Sequence, residues 1–399
     1  MTQRFRTAAF LLDHARRTLA FYSRNGSDPL GGFAHVYLRD GSVGGSRRHL
    51  VSSAQFVSNY ALAYTHFGAQ ADLDRVHWGL RFLREVHRHG ATGGYAWELD
   101  LEEGRWQVCD SANYAEGLAR VLIAYVHAHQ AGAPEARPWI DETWDLLERH
   151  FWEPQHGLYA NERSADWSVL GPYRGQSVNL HLCEALLAAC EAGCGGWALA
   201  RAELLARNVV VRQAALAHGL VCEHYHADWS LDLDSTAGAG KGRVRACGAQ
   251  PGHLMGWSRV LLQLERHRAQ LACPAQWLLP AATRLFDAAL AHGWQAGRGG
   301  LCNSVRPDGA VSDADQYYWA QAAGIGAAAA LAVRTGQPRY WSCYERLWQY
   351  CWENFIDHEH GAWWRKLDGA TGRPTGPKNP APKTDYPAIA ACLEMARTL

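Results

Sequence analysis

Across 399 residues the chain shows no net charge, no basic run and no long uncharged apolar stretch; Lys plus Arg and Asp plus Glu both total 39. Nucleic acid is not expected as a partner, because phosphate binding needs clustered cations. A membrane span needs about 20 successive apolar residues, and none is present. Arg4, Arg6, Asp13, Arg16 and Arg17 interrupt the apolar residues of the N-terminus, unlike a secretory leader. A soluble cytoplasmic protein is expected. The 11 cysteines include no CxxC pair, and Cys190 and Cys194 lie at helical spacing among alanines, as buried free thiols do. Disulfides are not expected in that compartment. The nucleophile elbow, P-loop, dinucleotide fingerprint and zinc helix are all missing, so neither metal nor cofactor is expected.

What the chain has in plenty is 18 tryptophans and 20 histidines. Polar-tipped rings in that number suit a concave surface that stacks on and hydrogen-bonds a carbohydrate, although core packing also uses them. The chain also repeats itself. A Gly-aromatic or His-Gly signature opens at Gly31, Gly93, His156, His218, Gly299 and His360, so successive starts differ by 62, 63, 62, 81 and 61 residues. Each signature precedes a short segment able to form a hairpin: 34–40, 96–101, 160–167, 221–231, 302–307 and 364–368.

Between signatures, apolar residues recur at helical spacing and predict paired helices. The pairs are 50–67 with 73–87, 114–129 with 139–151, 180–191 with 198–217, 253–266 with 277–292, and 317–333 with 341–355. Single helices at 5–25 and 386–398 complete the set. Six helix pairs with a hairpin after every second helix predict an all-α (α/α)6 barrel, six inner helices ringed by six outer ones, as one domain over 1–399. Open helical arrays have shorter units and no hairpin. The long fourth interval places extra residues at 230–250, which read equally as a lid or as a surface insertion.

In such a barrel the inner-helix N-termini and the hairpins line one mouth. Pro251 and Gly252 start a helix at whose first turn His253 sits, where unpaired N–H groups lower the proton affinity of an imidazole and favour a neutral base. His181 is expected at the opening of another inner helix, level with His253, with Glu184 at i+3 to orient its ring. His181 and His253 are therefore the expected catalytic pair. Glu116, Gln176, Asn179, Glu184, Glu223, His224, Arg245, Trp319, Asp385 and Tyr386 are expected to bind substrate. A small molecule, a monosaccharide among the choices, is the expected partner, and the protein is expected to be a monomer or homodimer.

Several segments resemble the N-acylglucosamine 2-epimerase superfamily, and within it the bacterial mannose isomerase branch: Arg47-Arg48-His49-Leu50-Val51-Ser52-Ser53, Gly93-Gly94-Tyr95-Ala96-Trp97, Asp141-Glu142-Thr143-Trp144, Asn179-Leu180-His181-Leu182-Cys183-Glu184-Ala185, Glu223-His224-Tyr225, Gln250-Pro251-Gly252-His253 and Lys383-Thr384-Asp385-Tyr386. The resemblance implies the same barrel and a cofactor-free interconversion of aldoses with ketoses, or of C2 epimers, through a cis-enediol. It also implies proton transfer by His253, with His181 binding or opening the sugar.

The chain departs from the family pattern at several places. Gln55 stands for an Arg, Gly256 and Ala323 for Glu, Ser177 for Asn and Pro387 for a second proton-transferring His. Asn113-Tyr114-Ala115-Glu116-Gly117 replaces an Asn-His-Cys-Tyr-Gly segment. These positions cluster at the barrel mouth, so a non-standard active site is expected, with Glu116 or Glu223 supplying the missing carboxylate and Arg245 holding substrate oxygens. A repurposed barrel enzyme acting on a less polar molecule, or a ligand-binding homologue without catalysis, are the alternatives.

Overall fold

The computed structural model describes residues 4–24, 28–233, 248–272 and 274–399. Among them are twelve α-helices: α1 (Ala8–Ser23), α2 (Leu50–Phe67), α3 (Gln70–Phe82), α4 (Ala115–Gln130), α5 (Ala136–His150), α6 (Gln176–Glu191), α7 (Ala198–Arg207), α8 (Pro251–Gln270), α9 (Leu278–Gly293), α10 (Tyr318–Thr335), α11 (Pro338–Asn354) and α12 (Tyr386–Ala396). The even-numbered helices pack side by side, α2 on α4, then α6, α8, α10 and α12, and α12 returns to α2. Each odd-numbered helix lies outside, against one member of that ring. The architecture is the expected (α/α)6 barrel.

Burial patterns explain which helices lie inside. In α2 every residue from Leu50 to Ala61 is buried, as befits a helix enclosed on all sides. In α11 the buried residues are Tyr340, Cys343, Tyr344, Leu347, Trp348, Tyr350 and Cys351, most of them one stripe at i, i+3, i+4 spacing facing inward. Two outer helices, α3 and α7, widen into π turns at Leu83–His87 and Asn208–Gln213, so the helix expected over 198–217 changes its winding after Arg207.

The ring is stitched along one rim. Residues just before an inner helix pair antiparallel with the hairpin of the following unit: Arg48–His49 with Leu99 and Glu98, Asn113–Tyr114 with Arg163 and Glu162, and Arg174–Gly175 with Tyr225 and His224. Single bridges join Ala249 to Val305, a further strand pair joins Gln316–Tyr317 to Leu367 and Lys366, and Tyr37 bridges Asn379 to close the circle. These links place the start of successive inner helices at a common height. The last helix is the exception: Asn59, ten residues into α2, donates to the carbonyl of Thr384 (3.0 Å), so α12 begins well down the barrel.

A second repeated device ties four of the six Gly-aromatic or His-Gly turns to an inner helix or its approach. Asn113 accepts from the Tyr95 amide (2.9 Å), Asn179 from Tyr159 (2.9 Å), Gln321 from Leu301 (2.8 Å) and Asp385 from Trp363 (3.1 Å). These buried amides would otherwise lack partners, which costs more than the bond itself is worth.

Candidate active site

His253 is the third residue of α8 and His181 the sixth of α6, so the two are not level as expected; His181 lies one turn deeper. Their rings nonetheless share one space, with centroids 6.0 Å apart and planes at 74°. The stitched rim explains how. The sixth residues of α2, α4, α6, α8 and α10 are Gln55, Arg120, His181, Gly256 and Ala323, a layer in which Gly256 leaves one corner without a side chain. His253 projects from the layer above, beside Trp319, the second residue of α10, whose ring lies 4.9 Å from the imidazole.

Glu223 organises His253. Its Oε1 is 2.9 Å from Nδ1 of His253, while Nε2 of Gln176 is 2.9 Å from both carboxylate oxygens. Gln176 Nε2 also lies 3.1 Å from His253 Nδ1, but both nitrogens aim their hydrogens at the carboxylate. Nδ1 of His253 is thus the protonated nitrogen, and Nε2 carries the lone pair. Burial pushes the His253 imidazole towards neutrality, but the Glu223 carboxylate outweighs it and its proton affinity ends above the ordinary imidazole value. The expected lowering by the helix N-terminus is therefore overturned, because a buried carboxylate in contact outweighs a partial helix charge.

His181 is shifted the other way. Burial and the Arg120 guanidinium hold its proton affinity below the ordinary value, against the opposing pull of Glu184. Nη2 of Arg120 lies 2.9 Å from both ring nitrogens, hence above the ring, and Glu184 Oε2 is 3.0 Å from Nδ1. Arg259 holds the other Glu184 oxygen at 3.0 Å and reaches Glu394 at 3.0 Å. Neighbouring titratable rings driven in opposite directions are what acid–base chemistry near neutrality requires.

The residues expected to bind substrate divide sharply. Glu116, half-buried on the first turn of α4, acts electrostatically on both rings, and Trp319 flanks His253; these two stand beside the ring pair. Glu223, Gln176 and Glu184 stand behind the rings and orient them. Gln176 and Asn179 have no exposed surface, and Asn179 serves as the clamp on Tyr159. His224 is buried with its Nδ1 2.9 Å from the Tyr173 hydroxyl, a support for the hairpin. Asp385 is also fully buried, paired with Lys383 at 2.5 Å and accepting from the Trp363 amide at 3.1 Å. Arg245 lies outside the described residues, as does most of the segment 230–250.

Tyr386 lies elsewhere. Because α12 starts low, its side chain lines a hollow of about 1010 Å³ at the opposite, C-terminal end of the inner helices, with Leu62, His127, Glu191, Arg266 and Arg334. The Arg120–Glu184–Arg259 layer lies between that space and His253. Among the described residues no group of three or more His, Cys, Asp or Glu is placed to hold a metal ion, and no helix is long and apolar enough to cross a membrane.

Three residues not singled out from sequence take part. Arg120 follows Glu116 at i+4, and Trp257 follows His253 at i+4, spacings that put each pair on one helix face. Arg259 lies on the inward side of α8 a turn below Gly256. The fully buried Trp257 indole needs an acceptor, and it finds Oε1 of Gln176 at 2.7 Å.

The chain is 43% identical over 398 residues to a D-mannose isomerase of Marinomonas mediterranea, covering 99% of this chain and 98% of that one. It is 34% identical to a D-mannose isomerase of Thermobifida fusca, over 78% and 77% of the two chains. A crystal structure of D-mannose isomerase superposes with a TM-score of 0.94 at 42% identity over the whole of both chains. The cellobiose 2-epimerase of Spirochaeta thermophila shares the fold, with a TM-score of 0.81 at 22% identity over 98% and 94% of the chains. Residues 31–391 match the N-acylglucosamine 2-epimerase (GlcNAc 2-epimerase) family, and the chain belongs to it.

Proposed function

We propose that this protein isomerises a free aldohexose to its ketose, with D-mannose and D-fructose as the pair, and that His253 is the base. The single observation carrying the reading is the His253–Glu223 contact, which fixes the imidazole as the Nδ1–H tautomer and leaves the Nε2 lone pair for the substrate. Two relatives named D-mannose isomerase, one matched over 98% of its length and the other over 77%, support the choice of sugar.

The chemistry follows from that tautomer. Nε2 removes the C2 proton of the open-chain aldose, the C2–H electron pair forms the C1–C2 double bond, and the carbonyl electrons move onto O1. The same nitrogen then returns its proton to C1 as the O2 hydroxyl gives up its own, and that proton ends on O1. Neutral His181, with Nδ1 donating to Glu184, offers an acceptor at Nε2 for the hydroxyl proton. Glu116, which acts electrostatically on both rings, is the second group able to relay it.

One base on one face of the enediol favours isomerisation. Epimerisation at C2 would need a donor on the opposite face, and the position where the family pattern has a second histidine is Pro387. Glu223 supplies from a hairpin the carboxylate that the family pattern carries at the position of Gly256. A less polar substrate is disfavoured by the density of charge around the rings: Glu116, Arg120, Glu184 and Glu223.

The test is incubation with mannose, fructose, glucose and N-acetylmannosamine in heavy water, read by NMR. Mannose and fructose are expected to interconvert with deuterium appearing at C1 of fructose and C2 of mannose. Exchange on none of the four sugars would refute the reading.

A further inference from the structure

The orientation of His253 depends on Glu223, and that of Glu223 depends on Gln176. A side-chain amide has two ends of nearly equal size, and only one of them can donate. Reversed, Gln176 would turn its oxygen towards both oxygens of Glu223 and would compete with Glu223 for the Nδ1–H of His253. Something must hold it the right way round. The indole N–H of Trp257 is a donor only, and it meets Oε1 of Gln176 at 2.7 Å. Neither Trp257 nor Gln176 has exposed surface, so bulk water cannot substitute for either partner.

The backbone holds the same assembly. The Gln176 amide donates to the Glu223 carbonyl (3.2 Å), and the Glu223 amide donates to the Gly248 carbonyl (2.8 Å). Glu223 is therefore fixed between the approaches to α6 and α8. Helix α8 itself presents both His253 and, one turn on, Trp257.

We propose that Trp257 and Gln176 are positioning residues, a donor–amide pair that keeps the Gln176 nitrogen on Glu223 and so sets how much of the Glu223 charge is left for Nδ1 of His253. Their catalytic consequence rests on His253 being the base; their effect on the ring does not. The sign is fixed by the geometry. Donation from Gln176 shares the Glu223 charge, so removing it leaves more of that charge for His253 and strengthens its hold on a proton. The other groups facing the ring are Glu116 on α4, His181 and Glu184 on α6, and the uncharged Trp319 on α10; both substitutions below leave all of them in place.

The experiment uses the full chain as wild type, Trp257→Phe, Gln176→Met and Glu223→Gln, with histidines isotopically labelled and His253 assigned by loss of its signal in His253→Asn. In Trp257→Phe and Gln176→Met the His253 titration midpoint is expected to rise by about half a unit or more, while Glu223→Gln moves it down. The kcat for mannose should fall about 10- to 100-fold in the first two variants with KM within about twofold, and the acid limb of kcat/KM should move to higher pH. Gln176→Met carries the test if Trp257→Phe does not fold. Midpoints equal to or below the wild-type value in folded Trp257→Phe and Gln176→Met would overturn the proposal, even if activity were lost. The titration needs no turnover, so an inactive wild type would defeat the isomerase reading without touching this result.

Discussion

His253 Nδ1 and Glu223 Oε1 stand 2.9 Å apart across a helix–hairpin junction, and the same carboxylate accepts from Gln176 at both oxygens. Burial pushes the carboxyl of Glu223 up, but His253 first and then its other polar neighbours outweigh that, so it stays ionised below the ordinary carboxylate range. The buried ring and carboxylate therefore act as a unit.

A pH dependence follows. The base works when neutral, and its proton affinity lies above the ordinary imidazole value, so kcat/KM should fall on the acid side with a midpoint above about 6.5. Glu223→Gln removes the charge that raises it. The acid limb should then move to lower pH and the plateau should drop about 10- to 100-fold. A pH–rate profile checks both, and an unmoved acid limb in that variant would contradict the pairing.

Arg120 acts on the second ring. Its guanidinium opposes a proton on His181, so Arg120→Met should raise the His181 titration midpoint, measured by NMR on labelled histidine. A midpoint that stays put or falls would mean that burial alone keeps His181 neutral.

Two expected ligand contacts are predicted to be structural. Asn179→Ala leaves the Tyr159 amide and carbonyl without their partner and should cost about 1–3 kcal/mol in urea unfolding. Lys383→Met leaves Asp385 buried without its cation, and about 3–5 kcal/mol is expected. Turnover per folded molecule should stay near wild type in Asn179→Ala; a selective rise in KM would return that residue to the substrate.

Gly252 sets the seat of Trp319. A Cβ there would meet the Trp319 ring at 2.5 Å and the Ala320 Cα at 2.8 Å, and the backbone contact cannot swing away. Gly252→Ala should therefore separate α8 from α10, lowering stability by about 1–3 kcal/mol and quenching turnover through displacement of the ring beside His253. Thermal unfolding and intrinsic fluorescence measure the two effects.

The barrel was legible in the sequence because its inner helices are apolar nearly all round and each hairpin is announced by a Gly-aromatic or His-Gly signature; Leu50–Phe67 is read without error. Depth within the barrel was not. The first turn of α6 is Gln176, Ser177, Val178 and Asn179, and its three polar residues hide the helix start, so His181 reads as level with His253 when it lies a turn lower. Nor does sequence show that a polar residue secures a neighbouring turn, as Asn179 does for Tyr159 and Asp385 for Trp363. Contacts between units, such as Gln176 with Glu223 and Trp257, leave no local spacing to read.

The central claim is that His253 carries the proton, and the fate of the C2 hydrogen tests it most directly. With mannose deuterated at C2 in ordinary water, wild type should deliver part of the label to C1 of fructose and lose the rest to solvent. His253→Asn, folded by circular dichroism, should give neither fructose nor label loss. Turnover by that variant at the wild-type rate, with the same label transfer, would contradict the account.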